Sequence, residues 1–194
     1  MPNFTCFSTL LSVSTMASSC QSVLSTEAML TVLLGTEAHT WNYVGRDVLG
    51  QLGGLLVMSG LTKHTDRQPH QFIKVSHGLQ QASMAILMCT PLVDPSWFLP
   101  VAAAANVCAN ISFIGFGSIN AKCIQKLSGE NNNVGELYAK LSVHQTLAST
   151  LGLSMGMLLN EHSCYFPEGA PSFFFAALGV LRVVSYSKAV KNVL

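Results

Sequence analysis

The chain has 194 residues, a formal net charge of +1, and only 10% charged residues beside 49% hydrophobic ones, against about 25% charged in an ordinary soluble domain. That length suits one compact unit with a full core. A charge so near zero, with no basic stripe interleaved with aromatics, excludes a nucleic-acid-binding face.

Residues 1–19 are uncharged and rich in Ser and Thr. Without Lys or Arg they match neither a secretory n-region nor an Arg-rich transit peptide, so they stand as an N-terminal segment of undefined structure. A single helical membrane domain is expected over residues 20–187, followed by a basic tail at 188–194.

The chain beyond that point is divided by long runs free of charge: Val48 to Thr62, Val75 to Val93, Pro95 to Ala121, Leu141 to Asn160 and Gly169 to Leu181. A bilayer-spanning helix needs about 20 mostly apolar residues, and three of the runs reach the required range. The first must borrow length from Trp41 onward, which brings Arg46 and Asp47 into its opening turns. The last starts at Pro171, a natural first helical position, and extends past Arg182. Five spans result, near 41–62, 75–93, 96–121, 141–160 and 171–187. Pro, Gly, Asn and Asp cluster between them and no strand alternation survives, so the fold class is all-α, a membrane-embedded bundle of about five long apolar helices.

Basic residues sort with this arrangement. Lys63, Arg67 and Lys74 flank the first connection, Lys122, Lys126 and Lys140 the third, and Arg182, Lys188 and Lys191 the C-terminal end. Only Arg46 falls on the other side, as the tendency of basic residues to collect on one face of a bilayer predicts. The alternative, a soluble helical domain with long buried helices, gains from the polar residues inside the runs, among them Gln80, Gln81, Asn106, Asn110 and Gln145.

Within the first span, "VGRDVLGQLGGLLVMSG" places Gly50 and Gly54 four residues apart on one helix face, beside Gly53. Gly152 and Gly156 in "LGLSMGMLL" repeat the spacing. In lipid such small faces let helix backbones approach, so these glycines, with Gly115 and Gly117, are read as packing surfaces. The segment lacks the spacing of a nucleotide-binding loop. Arg46 and Asp47 point about 100° apart on a helix, need not pair with each other, and serve either as an interfacial anchor or as a recognition group. Arg46, Asp47, Asn106, Lys140 and Gln145 form the candidate polar seam between helices.

No catalytic set emerges. His144 has Ser142 only two positions away, on another helix face, and the "HSC" of His162 to Cys164 has no second pair of metal ligands. The six cysteines form no CxxC pair and read as reduced packing residues. The expectations are therefore no enzymatic activity, no metal and no cofactor.

The order of "LSTEAMLTVLLG", "TWNYVGRDVLGQLGGLLVMSG", "FLPVAAAANVCANISFIGFGSINA" and "NNNVGELYAKLSVHQTLASTLGLSMGMLL" resembles the root UVB sensitive family over roughly residues 20–160. The family's Lys-Asp and following Leu-Gly segment match Arg46, Asp47, Gly50, Leu52 and Gly53; its Ala-Asn matches Asn106, and its Gly-rich patch Gly115 and Gly117. Asn132, Asn133, Gly135, Glu136, Ala139, Lys140, Thr146, Leu147 and Gly152 continue the match. Charges usual in the family are replaced at His77, Gln80, Gln81, Asn120, Leu141 and Gln145, as in a divergent or shortened member. The resemblance implies a multi-helix membrane protein with a link to pyridoxal phosphate homeostasis and with related subunits as partners. Two functions follow as expectations: binding or transport of a small molecule, or a non-catalytic membrane scaffold. The bilayer and another copy or relative are the expected partners; the organelle is undetermined.

Overall fold

A computed structural model describes residues 2–34, 39–129, 133–162 and 170–194. These residues form six α-helices and two short 3-10 turns, with no strand among them, so the chain is all-α. The helices are α1 (Pro2–Leu33), α2 (His39–Arg67), α3 (Pro69–Met88), α4 (Phe98–Ser128), α5 (Val134–Glu161) and α6 (Ala170–Lys191). The last five overlap the five predicted spans.

The first helix is additional. Residues 2–19, left without structure by the sequence reading, belong to a 32-residue helix. Phe4, Phe7, Leu11, Ser14, Ala17, Gln21 and Leu24 are buried along it, at the three- and four-residue steps of one helical face. Because that stripe mixes Phe and Leu with Ser, Ala and Gln, it carries little hydrophobic contrast with the rest of the helix.

The chain divides into two compact units. One comprises residues 1–24 and 120–194, the other 25–119. The division falls inside α1 and α4, each more than 30 residues long.

In the discontinuous unit, Phe7, Leu11, Cys20, Cys123, Ile124, Leu137, Leu141, Ala189 and Val190 are buried. Hydrogen bonds between distant helices satisfy polar groups there: Ser14 Oγ donates to the Arg182 carbonyl (3.2 Å), Gln21 Nε2 to the Phe175 carbonyl (2.9 Å), and Tyr186 Oη to Asn120 Oδ1 (2.9 Å). The hydroxyls of Ser19 and Ser149 lie 2.9 Å apart. Buried polar atoms need such partners, since leaving one unmade costs about 1–3 kcal/mol.

In the continuous unit, Pro69 opens α3 and Cys89 closes it, donating to the carbonyls of Ala85 and Ile86. The "DPSW" turn is fastened by Asp94, whose Oδ1 accepts from Ser96 N (2.9 Å) and Ser96 Oγ (2.6 Å). These two bonds hold the Asp94 carboxyl below its ordinary pKa. Since the folded value is the lower one, its stabilisation is complete above the usual carboxylate pKa of about 4 and is lost as pH falls through the folded value. Asp94→Ala is expected to lower the melting temperature at neutral pH, with the gap to the parent protein closing in acid; a gap constant from neutral to acid pH would contradict this. At the far end of α4, Gly129 adopts φ +51°, the left-handed conformation that terminates a helix most cheaply with glycine.

Two segments are long and apolar enough to cross a membrane, Pro95–Ser128 and Ser172–Lys191. Among the described residues, the other expected spans fall short of that test. The uncharged stretch of α2 is brief and a quarter glycine, α3 carries Lys74, His77, Gln80 and Gln81, and α5 interleaves its leucines with Ser, Thr, Gln and His.

Candidate functional site

The glycines bring α2 and α4 together. A methyl group at Gly50 would lie 2.5 Å from Asn106 Cβ, at Gly53 2.6 Å from Val107 Cγ2, and at Gly54 2.8 Å from Asn110 Cβ. Three side chains of α4 thus rest in a groove that exists because α2 lacks side chains there. Gly115 plays the same part on α4, facing Phe72 and Ser76 of α3. In the discontinuous unit, Gly152 abuts the Met16 carbonyl and Ser19, and Gly156 abuts Val23 and the Cys20 carbonyl. Gly117 corrects the expectation: nothing lies within 4 Å of its would-be side chain, because it sits on the outward side of α4, two residues round the helix from Gly115.

This close approach places Asn106 over the first turns of α2. Its Nδ2 donates to Asp47 Oδ1 (2.9 Å) and the Arg46 carbonyl (3.3 Å), while its Oδ1 accepts from Asn110 Nδ2 (3.4 Å). The same Asp47 oxygen accepts from Arg46 Nε (2.9 Å) and Nη2 (2.7 Å). Their helical directions do not require it, yet the two neighbours pair. Asn106 pins the carboxylate that receives the Arg46 guanidinium. Arg46 is the more buried partner, its side chain 14% exposed against 38% for Asp47. Its guanidinium also lies 4.6 Å from the Tyr43 ring centroid, and Nη1 donates to Met29 Sδ.

A guanidinium has five N–H groups. Two go to Asp47 and one to Met29, leaving two without an acceptor among the described residues. Arg46 also borders a cleft of about 150 Å³, together with Thr26, Ser83, Leu87, Ala102, Asn106 and Ala109. All of these belong to the continuous unit. Below the cleft, Met29, Leu33, Phe98 and Ala102 form a buried apolar cluster, with Leu30, Val32 and Leu87 against it.

Of the five residues assigned to a polar seam, Arg46, Asp47 and Asn106 come together. Lys140 and Gln145 lie on α5 in the other unit, where Lys140 bonds Glu136 one turn away on an exposed surface. Sequence reasoning missed Thr26, Ser83 and Met29, since small hydroxyls and a methionine inside uncharged helices carry no pattern that separates lining from packing.

His77 is buried with its ring centroid 4.8 Å from that of Phe116, His144 is exposed, and His162 Nδ1 lies 3.0 Å from the Leu158 carbonyl of its own helix. Cys164 lies outside the described residues. Among the described residues, no three His, Cys, Asp or Glu side chains gather within reach of one metal ion.

An all-helical chain with a small polar cleft beside glycine-packed helices is, at the general level, a protein of the all-α class. The particular family follows from comparison with known proteins. The family model described as "Vitamin B6 photo-protection and homoeostasis domain" matches residues 1–194, and the chain belongs to this root UVB sensitive family. It is 25% identical to protein root UVB sensitive 3 of Arabidopsis thaliana over 87% of its own length and 39% of that protein's. With protein root UVB sensitive 4 of the same plant it shares 28% identity over 91% of its length and 35% of the relative's. With protein root UVB sensitive 5 the values are 28%, 69% and 26%. The chain thus spans about two fifths or less of these curated relatives. No solved structure matches it.

Proposed function

We propose that this chain is a membrane-embedded, non-catalytic helical protein that binds a small molecule of the vitamin B6 group in the cleft beside Arg46, Asp47 and Asn106. The observation that carries the reading is the arrangement of Arg46: largely buried, held by Asp47, and on the wall of the cleft. Buried polar groups call for acceptors, and the cleft is where an acceptor fits. The vitamin B6 assignment draws on the description of the family model.

Lipid as the surrounding solvent is supported by the two apolar segments and by the outward faces of the helices. On α5, Leu147, Leu151, Met155 and Leu158 are exposed, yet the hydroxyls between them are already bonded: Thr150 Oγ1 donates to the Thr146 carbonyl and Ser154 Oγ to the Thr150 carbonyl, both at 3.0 Å. A face that satisfies its own hydroxyls suits hydrocarbon. The scaffold alternative loses ground because Gly50, Gly54, Gly152 and Gly156 are occupied by internal contacts.

Two measurements test the proposal. The expressed chain is expected to resist carbonate extraction, with single cysteines at Lys126 and Asp94, in a background free of other cysteines, labelled from opposite sides. Pyridoxine is expected to bind saturably to the protein in detergent or nanodiscs and to be lost from Arg46→Ala that retains its helical circular dichroism. Extraction into carbonate removes the membrane reading, and undiminished binding to Arg46→Ala removes the site.

A further inference from the structure

The charge balance around the cleft discriminates between ligands that share a ring but differ in charge. This rests on the reading that the cleft binds a B6 compound. Arg46 is the one cation on its wall, and Asp47 neutralises it through two hydrogen bonds. Thr26, Ser83, Leu87, Ala102, Asn106 and Ala109 contribute no charge. A phosphate monoester brings about −1.5 to −2 charges at neutral pH and here meets a pair that already sums to zero. A helix N-terminus offers no substitute. The α4 residues on the wall begin at Ala102, one turn inside a helix that starts at Phe98, where backbone N–H groups are committed within the helix.

Size gives a second, independent restriction. The volume is about 150 Å³, the space that houses a single benzene ring in an apolar protein cavity. Because the cleft is open, its walls hold a single ring while the ring's substituents, and any phosphate group, stand at the mouth. The two remaining guanidinium N–H groups suit a hydroxyl or carbonyl oxygen on such a ring. We infer that the cleft selects a net-uncharged, single-ring ligand, the unphosphorylated hydroxypyridine form of vitamin B6, over its phosphate ester.

The full chain in nanodiscs is titrated calorimetrically with pyridoxine and with pyridoxine 5′-phosphate, neither of which has an aldehyde to react with lysines. Pyridoxine is expected to bind about tenfold or more tightly than the phosphate, the scale of one uncompensated charge in a partly buried site. Asp47→Asn uncovers the Arg46 charge, and Thr26→Lys adds a cation to the wall by a separate route. Each is expected to shrink the preference about tenfold or reverse it. Should one variant misfold by circular dichroism, the other decides, and the parent protein's ratio stands by itself. Equal or tighter binding of the phosphate to the parent protein overturns the selectivity while leaving the cleft as a B6 site. An unchanged ratio in a folded variant overturns its electrostatic origin. Binding of neither compound overturns both the selectivity and the site.

Discussion

Gly152→Ala is expected to destabilise the protein by about 2 kcal/mol. Overpacking a tight contact costs about 1–3 kcal/mol, and here the added methyl meets the Met16 carbonyl and Ser19. A carbonyl belonging to the α1 backbone has no rotamer with which to yield, which places the penalty near the top of that range. Against it stands the gain of roughly 1 kcal/mol for replacing glycine by alanine inside a helix. Gly117→Ala is the internal control, since its methyl meets nothing and only the helical gain of up to about 1 kcal/mol remains. Denaturant titration in mild detergent separates the two. If both variants move in the same direction, the close contact between α5 and α1 does not exist.

Gly50→Leu is expected to abolish pyridoxine binding and to lower stability by about 2 kcal/mol or more, within the range for a side chain forced into an occupied space. The obstruction is Asn106 Cβ at 2.5 Å, an atom fixed to the α4 backbone, so α2 and α4 must part. Parting them removes the bonds from Asn106 to Asp47 and to the Arg46 carbonyl, and with them the support under the guanidinium. Combining Gly50→Leu with Asn106→Gly, which clears the obstruction, is expected to recover stability but not ligand binding. The two properties thereby separate: the glycine is needed for approach and the asparagine for the polar network. Retained binding in the single variant would show that the cleft does not depend on this seam.

Much of this fold is legible from the distribution of charge. The uncharged runs locate α2 to α6, because a long helix interior excludes Lys, Arg, Asp and Glu more strongly than it selects any one apolar residue. The glycine spacing likewise announces the α2 and α5 contact faces, and six of the seven named glycines meet a neighbour. What charge cannot reveal is α1, whose buried side is built from Ser14, Ala17 and Gln21 as much as from Phe4, Phe7 and Leu11.

At the candidate site, Arg46, Asp47 and Asn106 were readable as polar residues in apolar surroundings, but their mutual bonding was not. Directions on an ideal helix separate Arg46 from Asp47, and only the tertiary contact with Asn106 determines which way the carboxylate turns. The hydroxyls of Thr26 and Ser83 carried no signal at all. Polarity alone groups Lys140 and Gln145 with the seam, whereas α5 belongs to the other unit and Lys140 bonds Glu136.

The discontinuous unit has a consequence for synthesis. Residues 25–119 are contiguous and can close once α4 has left the ribosome. The stripe of Phe7, Leu11 and Gln21, made before them, has to wait for α6, made after them. Segments generally fold as they emerge, so of these six helices α1 is left longest with its neighbours missing. A chaperone or insertase that shields this amino-terminal helix during translation would therefore govern the yield of native protein more than any helix made after it.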